Sequence, residues 1–223
     1  MPQLPLDDEE LRKKLAEYRS ASEQAIRDFQ AERGEEATCP ASNAFFGKAL
    51  AGTEVARAVD LGCNNGTFAV EVLLPISKRL CLVDYSAKAL EKARARIPAD
   101  RLEAALQADL TRDWPKVSAL GRFDLVALCE VIQHIPDATA RERVFDGAAA
   151  LLTPGGRLLF STYFLKEGEP AEGFFRSDRY PDLLYFRRSS EAENAARFAR
   201  NRLRVLQRMR EARVDAFVLT PGS

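Results

Sequence analysis

Several side chains that build metal sites and disulfide frameworks are scarce in this sequence. Among 223 residues there are one histidine, one tryptophan and two methionines. The four cysteines, Cys39, Cys63, Cys81 and Cys129, have no C-x-x-C spacing. Zinc clusters and disulfide-stapled folds need such groups close together, so we expect neither, and we expect the cysteines to be free, mostly buried thiols.

The chain also lacks an excess of charge and any long apolar run. Lys and Arg total 33, as do Asp and Glu. Proteins that bind nucleic acid by neutralising phosphates usually carry a basic excess, so nucleic acid is not the expected partner. No run is long enough to cross a bilayer, and residues 1–14 lack the apolar core of a signal peptide. We therefore predict a cytoplasmic protein that does not contact a membrane.

The residues that are present indicate an α/β protein. Apolar residues recur at steps of three and four from Asp7 to Arg33, which predicts an amphipathic helix, and a second short helix is predicted over Ala41 to Ala51. Further along, short apolar runs alternate with helical segments, which indicates a parallel sheet with helices on both faces. The predicted strands of this part are 55–61, 80–84, 102–109, 123–129 and 156–162.

The last third of the chain departs from that alternation. Residues 163–188 are rich in aromatics and turn formers and are predicted to be an inserted loop. Its aromatic side chains can line an acceptor pocket or simply anchor the insertion, and its arginines can bind an anion or remain solvated. A helix is predicted from about Ser190 to Asn201, followed by two strands around a turn near Glu211–Arg213 that form an antiparallel hairpin.

The stretch DLGCNNG, Asp60 to Gly66, follows the first strand of the sheet and precedes a helix. Ligands bind at such carboxyl ends, where backbone N–H groups converge. Asp84 ends the next strand, where a carboxylate can accept hydrogen bonds from both hydroxyls of a ribose, and Asp109 ends the third, where it can meet an adenine amino group. Three acidic strand ends indicate an adenosine site. The G-x-G-x-x-G fingerprint of nicotinamide binding is missing.

Two asparagines occupy the middle of this turn. After glycine, asparagine best tolerates left-handed backbone geometry, so Asn64 and Asn65 keep the turn feasible. We expect the Asn64 amide to point away from the ligand or to bond it directly.

Five segments in register resemble the motif series of the class I S-adenosylmethionine-dependent methyltransferases, from about Val55 to Thr162. The resemblance implies an α/β fold with a doubly wound, mostly parallel seven-stranded sheet, a C-terminal antiparallel hairpin and an N-terminal helical lid over residues 1–52. The Rossmann-like catalytic domain would span residues 53–223, with the aromatic-rich insertion at about 163–188. The segments are DLGCNNG, LVDYSAKALEKAR, QADL, FDLVALCEVIQHIPD and LLTPGGRLLFST.

The resemblance also implies roles for individual residues toward S-adenosylmethionine and its product S-adenosylhomocysteine. The 62–66 loop would pass under the methionine part, with Asp60 behind it. Asp84 would hold the ribose, and Tyr85 would either pack beside the adenine or pack elsewhere. The predicted cofactor-binding residues are Asp60, Gly62, Asn64, Gly66, Asp84, Tyr85, Asp109, Leu110 through its backbone, Cys129 and Glu130. The candidate substrate residues are Tyr18, Arg19, Tyr163, Phe174, Arg176 and Tyr180.

His134 is the single histidine, and it is the candidate catalytic residue because its unperturbed pKa lies near neutrality. The alternative is a local role in holding the loop after the fourth strand. EVIQH also resembles the E-V-I-E-H run of the small-RNA 3′-end 2′-O-methyltransferases, which use a metal. Gln133 replaces the second glutamate and the chain has no other histidine, so no metal is expected.

The predicted function is methyl transfer to an oxygen or nitrogen of a small molecule, a metabolite or natural product. Such an in-line displacement needs alignment, exclusion of water and, for a hydroxyl, removal of a proton. Two alternatives stand beside it. An RNA methyltransferase is suggested by the arginine-rich C-terminal third, and a cofactor-binding protein without transfer activity is suggested by Asn64.

Overall fold

The structure is a computed structural model that describes residues 7–20, 40–175, 184–211 and 213–222. Two helices precede the sheet: α1, Asp8–Ser20, and α2, Pro40–Ala49. Asp7 caps α1, because its Oδ1 accepts the backbone N–H groups of Glu9 and Glu10 at 2.9 and 2.8 Å. The remainder of the predicted first helix lies outside the described residues.

The central sheet has the predicted parallel core and reversed C-terminal hairpin. Within the described residues it has nine strands rather than the predicted seven, because the insertion adds β6 and β7, and the order is β3-β2-β1-β4-β5-β7-β6 with β9 paired to β5 and to β8. Strands β1 to β5 are parallel, and β9 is antiparallel to both β5 and β8. The strand order reverses between β1 and β4, the point at which such sheets bind ligands. The strands are β1 Val55–Leu61, β2 Ser77–Asp84, β3 Leu102–Gln107, β4 Phe123–Cys129, β5 Leu152–Phe164, β6 Glu172–Phe175, β7 Leu184–Ser189, β8 Leu203–Glu211 and β9 Val214–Pro221.

Helices cover both faces of the sheet, as predicted. On one face α2, a π-helical turn at Ala69–Leu73 and α3, Ala87–Arg96, pack on buried residues that include Phe46 and Leu80. On the other face lie α4, Trp114–Ser118, α5, Ala138–Ala150, and α6, Glu191–Arg200, around an aromatic core. None of the helices within the described ranges is long and apolar enough to cross a membrane.

Polar caps start three of these helices where the sequence offers a short side chain. Ser86 accepts the Ala89 N–H at the start of α3, and Asp137 accepts the Ala140 N–H at the start of α5. Ser190 and Glu193 form a reciprocal capping box at the start of α6. Each cap defines the residue at which its helix begins.

The described part of the insertion contains strands where the sequence predicts a loop. Tyr163 and Phe164 complete β5, and β6 and β7 form an antiparallel hairpin whose second strand continues along β5. Phe174 and Tyr185 face each other across the hairpin, edge to face at 5.8 Å, and both are buried. This burial stabilises the two strands. Residues 163–188 have no regular alternation of polar and apolar side chains, so the sequence did not predict strands there.

Four arginines of the arginine-rich C-terminal third form ion pairs with carboxylates. Arg197, which is buried, and Arg200 bond Glu142 of α5 and join α6 to that helix. Arg208 makes two parallel 2.8 Å bonds to the fully buried Asp215, and Arg210 bonds the same carboxylate at 2.6 Å. These four arginines hold the fold together, so they support RNA binding less than their number in the sequence suggests.

Candidate active site

The loop after β1 is pulled against its neighbouring strands. The N–H groups of Gly62 and Cys63 both donate to the Val83 carbonyl of β2, at 2.8 and 3.0 Å. Gly62 has a φ of +78°, and a Cβ at this position would lie 2.5 Å from a methyl carbon of Val131, in the loop after β4. Glycine is therefore required both by the backbone conformation and by the close approach of the two loops.

The two asparagines of this loop have different roles. Asn64 adopts a φ of +48°, which confirms that asparagine serves here as a left-handed residue. Its N–H donates to Asp84 Oδ2 at 2.8 Å. Asn65 is buried, and its Oδ1 accepts the N–H and the hydroxyl of Thr67 at 3.2 and 2.8 Å, which fixes the chain just before the following helical turn. Asn64 thus binds Asp84 through its backbone N–H, whereas Asn65 binds Thr67 through its side chain.

A second glycine and an arginine fix the rear of the loop. A Cβ on Gly66 would lie 3.0 Å from the Cα and Cβ of Ala93, so glycine allows α3 to pack directly on the loop. Arg96, on the same helix, donates to the Asn65 carbonyl at 3.1 Å and to the Thr67 hydroxyl at 2.8 Å. The loop is therefore held from β2, from α3 and from the loop after β4.

Asp84 stands at the carboxyl end of β2 with a fixed orientation. Its Oδ2 accepts the Asn64 N–H and its Oδ1 accepts the Ser86 N–H, each at 2.8 Å. These bonds set the plane of the carboxylate beside the 62–66 loop. This is the position that the sequence predicts for the ribose hydroxyls. Tyr85, which follows, is half-buried, and its carbonyl accepts from the Gln107 amide at 3.2 Å.

Asp109 lies just beyond β3 and presents one satisfied and one unsatisfied oxygen. Oδ1 accepts the N–H and the hydroxyl of Thr111 at 2.8 and 2.7 Å. Oδ2 is buried and accepts no hydrogen bond from the residues that the structure describes, although Arg112 Nε lies 3.7 Å away. A buried carboxylate oxygen without a donor is costly, and an adenine amino group would supply the donor. Leu110, whose backbone is the other predicted adenine contact, is buried beside it.

Asp60 is the most deeply buried of the predicted acidic residues. It lies in β1 opposite Leu82 of β2 and Ala127 of β4 and is 2% exposed. Its Oδ2 has no hydrogen-bond donor among the described residues. Burial, followed by the charge of Asp84, raises the pKa of Asp60 to about 7. A cation placed near Asp60 would favour its ionised form.

Glu130 turns the chain sharply at the end of β4. Its φ of +57° is unusual for a residue other than glycine, and such strain costs about 1–3 kcal/mol, so the surroundings must impose it. The Glu130 N–H donates to the Ser161 carbonyl at 3.0 Å, which continues the pairing of β4 with β5. Its carboxylate accepts the Ser42 hydroxyl of α2 at 3.2 Å. Cys129, just before it, has a thiol whose pKa is raised well above its usual range by burial.

His134 joins the loop after β4 to the insertion. It ends a single 3-10 turn, Ile132–His134, and its Nδ1 lies 3.1 Å from the Tyr185 carbonyl of β7. The imidazole also meets the Tyr163 ring edge to face, at 6.1 Å. The local holding role that the sequence allows is therefore present in the structure. The catalytic role stays a prediction.

The loop after β1 and the acidic residues at the ends of β2 and β3 lie within one segment of the chain that resembles a known family. Residues 59–158 match a family described as a methyltransferase domain. Over this segment the chain is similar to a methyltransferase domain. The match confirms the resemblance to the class I S-adenosylmethionine-dependent methyltransferases, and it includes the 62–66 loop together with Asp84, Asp109, Glu130 and His134.

Two curated relatives are similar to about half of this chain. A ubiquinone biosynthesis O-methyltransferase of Xanthomonas axonopodis pv. citri (strain 306) is 32% identical over 111 residues, or 48% of this chain and 43% of that protein. Nodulation protein S of Bradyrhizobium diazoefficiens is 28% identical over 109 residues, or 49% and 50% of the two chains. The chain thus spans about half the length of the curated relatives it matches.

A solved structure with the same fold aligns with the full length of this chain. It is the 1,6-didemethyltoxoflavin-N1-methyltransferase of Burkholderia thailandensis, with 1,6-didemethyltoxoflavin and S-adenosylhomocysteine bound. The TM-score is 0.66 at 16% identity, and the superposition covers 100% of this chain and 94% of the other. At this identity the likeness establishes the fold, and it confirms the predicted Rossmann-like architecture.

The structure places the six predicted substrate residues differently. Tyr163 lies beside His134, whereas Phe174 is buried against Tyr185, which favours the anchoring alternative for that side chain. Arg176 and Tyr180 lie outside the described residues. Tyr18 and Arg19 belong to α1, but their side chains also lie outside the described part. Within the described ranges, no group of three or more His, Cys, Asp or Glu side chains is placed to hold a metal.

Sequence reasoning missed four residues at this edge. Ser42 and Asn43 are buried on α2, where Ser42 bonds Glu130 and the Asn43 amide donates to Glu71 at 2.7 Å. Two adjacent polar residues inside a short helix were the available signal. Val131 and Tyr185 act through contacts with Gly62 and His134 that only the folded chain brings together.

Proposed function

We propose that this chain transfers the methyl group of S-adenosylmethionine to an oxygen or nitrogen of a small-molecule acceptor, and that S-adenosylhomocysteine is the product. One observation carries the proposal. Within a methyltransferase domain, Asp84 and Asp109 stand at neighbouring strand ends beside the 62–66 loop, with Asp84 bonded to that loop through the Asn64 N–H.

The charges and unsatisfied atoms at this edge fit the proposed cofactor. Asp84 would hold the ribose hydroxyls, and Asp109 Oδ2 would accept from the adenine amino group, for which it has no other donor among the described residues. Tyr85 and the Leu110 backbone would complete the adenine contact. At the other end, Asp60 and Glu130 would face the methionine part, whose ammonium and sulfonium groups are cationic. Carboxylates are the complementary groups for both cations.

The bound cofactor would supply an activated methyl group on a sulfonium sulfur. The protein's own residues would align an acceptor atom with that methyl group, exclude water and, for a hydroxyl acceptor, take up its proton. His134 is the residue proposed to take the proton. Cys129 and Glu130 would border the reacting end from β4, and Tyr163 would border it from β5.

The N-terminal segment 1–52 is proposed to close this end of the site as a lid. Three contacts of α2 support the proposal. Ser42 bonds Glu130, Asn43 bonds Glu71 at 2.7 Å, and the Phe46 ring meets Phe68 edge to face at 5.7 Å. Deleting residues 1–35, which leaves α2 in place, should weaken cofactor binding while the sheet stays folded, and unchanged affinity would refute a lid role for those residues.

The relatives support a small-molecule acceptor over RNA. One is named as an O-methyltransferase of ubiquinone biosynthesis, and the solved N1-methyltransferase holds a small acceptor. Arg197, Arg200, Arg208 and Arg210 are bound to carboxylates. The cytoplasm remains the location predicted from the sequence, and no metal is proposed.

Calorimetry with S-adenosylmethionine and S-adenosylhomocysteine tests the proposal, followed by an acceptor screen with a labelled methyl group. Asp84→Asn should weaken binding at least tenfold, about 1.4 kcal/mol, because an amide nitrogen cannot accept from a hydroxyl. Asp100→Asn, a change at an exposed position, is the matched control. Absence of binding to either cofactor would overturn the proposal. Binding without transfer to any acceptor would favour the inactive alternative.

A further inference from the structure

We propose that the insertion hairpin is part of the catalytic apparatus, because the main-chain carbonyl of Tyr185 holds His134 in the tautomer whose Nε2 accepts the proton of the acceptor. The inference rests on the proposed function. It assigns a positioning role to Tyr185, a residue that no motif in the sequence singles out.

The contact between His134 and Tyr185 fixes where the imidazole proton resides. A backbone carbonyl oxygen can only accept a hydrogen bond, so the Nδ1 atom 3.1 Å away must carry the hydrogen. In a neutral imidazole the other nitrogen, Nε2, is then unprotonated and basic. The opposite tautomer would direct the Nδ1 lone pair at the carbonyl lone pairs, which repel it.

The Tyr185 carbonyl is a firmly held partner. The Tyr185 side chain is 0% exposed, and its hydroxyl donates to Glu172 Oε2 at 2.6 Å, across the hairpin from β7 to β6. Burial, together with this bond to Glu172, raises the pKa of Tyr185 well above its usual range, so the hydroxyl stays a donor. The Phe174 ring packs against it edge to face.

The rest of β7 is fixed independently of Tyr185. Arg187 pairs with Glu193 of α6 at 2.5 Å, and Ser189 accepts from the buried Arg197 at 2.9 Å. Arg188 lies opposite Tyr163 in the pairing of β7 with β5. The position of the carbonyl is therefore determined by the hairpin, by α6 and by β5 of the central sheet.

The chemical step balances with this tautomer. The acceptor oxygen or nitrogen forms a bond to the methyl carbon while the carbon–sulfur bond breaks and its electron pair stays on sulfur. The proton of the acceptor moves to Nε2, and the resulting imidazolium later releases a proton to water. Nδ1 keeps its hydrogen, and its bond to Tyr185, throughout the reaction.

Nuclear magnetic resonance tests the tautomer directly. His134 is the only histidine, so tag-free protein labelled with ¹⁵N-histidine gives one pair of imidazole nitrogen signals that need no assignment. At alkaline pH we expect a protonated Nδ1 and an unprotonated Nε2. An Nε2–H tautomer, or a mixture of both, would overturn the proposal. Because this readout needs neither cofactor nor acceptor, its failure is distinct from a failure to bind S-adenosylmethionine.

Two amide substitutions separate positioning from a merely structural tie. His134→Asn places an amide N–H near the position of Nδ1 and can keep the bond to Tyr185, but it offers no base. We expect its melting temperature and cofactor affinity to match the wild type while methyl transfer falls at least about 100-fold. His134→Gln, whose amide reaches toward the Nε2 position, should lose both stability and activity. Wild-type activity in His134→Asn would show that His134 is a tie alone and would overturn the proposal.

Discussion

The stability of the fold should fall as the pH rises toward neutrality, because of Asp60. Burial and the charge of Asp84 raise the pKa of this carboxyl from 3.8 to about 7. Between these two values the folded state holds a proton that the unfolded chain has released. The folded state therefore binds more protons than the unfolded state, and the free energy of unfolding decreases with increasing pH until the folded carboxyl has ionised near pH 7.

The size of the effect follows from the shift. One pKa unit corresponds to about 1.4 kcal/mol, and roughly two units separate pH 5 from the raised pKa, so the loss between pH 5 and pH 8 is about 2–3 kcal/mol. Asp60→Asn has the same shape and does not titrate. We expect the free energy of unfolding of the variant, relative to wild type, to increase by that amount over the same interval. Burial raises the pKa of the neighbouring Cys63 and Cys129 thiols, so they stay protonated throughout.

Urea denaturation at about pH 5 and about pH 8 measures the difference. The fluorescence of the single tryptophan, Trp114, can report unfolding. Comparing variant with wild type at each pH cancels the titration of the groups that the two proteins share, and comparing the two pH values then cancels the fixed cost of burying an amide. Asp100→Asn, at an exposed position, controls for the loss of one acidic group. The reasoning would be refuted if the free energy of unfolding of Asp60→Asn minus that of wild type were equal at both pH values, or lower at the higher pH.

Three further predictions use the same site and its support. Binding of S-adenosylmethionine at pH 7 should release about half a proton from Asp60, seen as a buffer-dependent enthalpy in calorimetry that disappears in Asp60→Asn. Gly62→Ala should cost at least about 1–2 kcal/mol in thermal unfolding and weaken cofactor binding, with partial recovery on adding Val131→Ala, because the new Cβ meets Val131 in a left-handed backbone. Asp215→Leu should destabilise the fold by at least about 1 kcal/mol in urea, because the charge-assisted hydrogen bonds that the buried carboxylate accepts from Arg208 and Arg210 are lost, and a smaller cost would contradict that view.

The elements of the sheet were predictable because they depend on local sequence. Strands buried on both faces are continuous apolar runs, and acidic residues that end such runs must lie at one edge, as Asp84 and Asp109 do. The left-handed Asn64 was also predictable, because few residues tolerate that backbone conformation. These features require no knowledge of how distant segments pack.

The contacts on the acceptor side were not predictable, because they join residues that are far apart in the sequence. Ser42 meets Glu130 across 88 positions of sequence, and His134 meets Tyr185 across 51. Such pairs depend on how α2 and the insertion pack on the finished sheet. The β6–β7 hairpin likewise forms because Phe174 and Tyr185 become buried together, a property of the folded core that no local pattern in residues 163–188 carries.

The arginines of β8 have a consequence for how copies of this chain behave at high concentration. Among the described strands β8 pairs with β9 alone, so its other side presents unpaired backbone groups, next to the exposed Val205 and Leu206. An edge of this kind can recruit a strand from another molecule. The register shift between Val205 and Gln207 interrupts that edge, and the cationic Arg208 and Arg210 line it. The ion pairs with Asp215 therefore hold two charged arginine side chains on an edge strand, and charged side chains are one means by which proteins protect such edges.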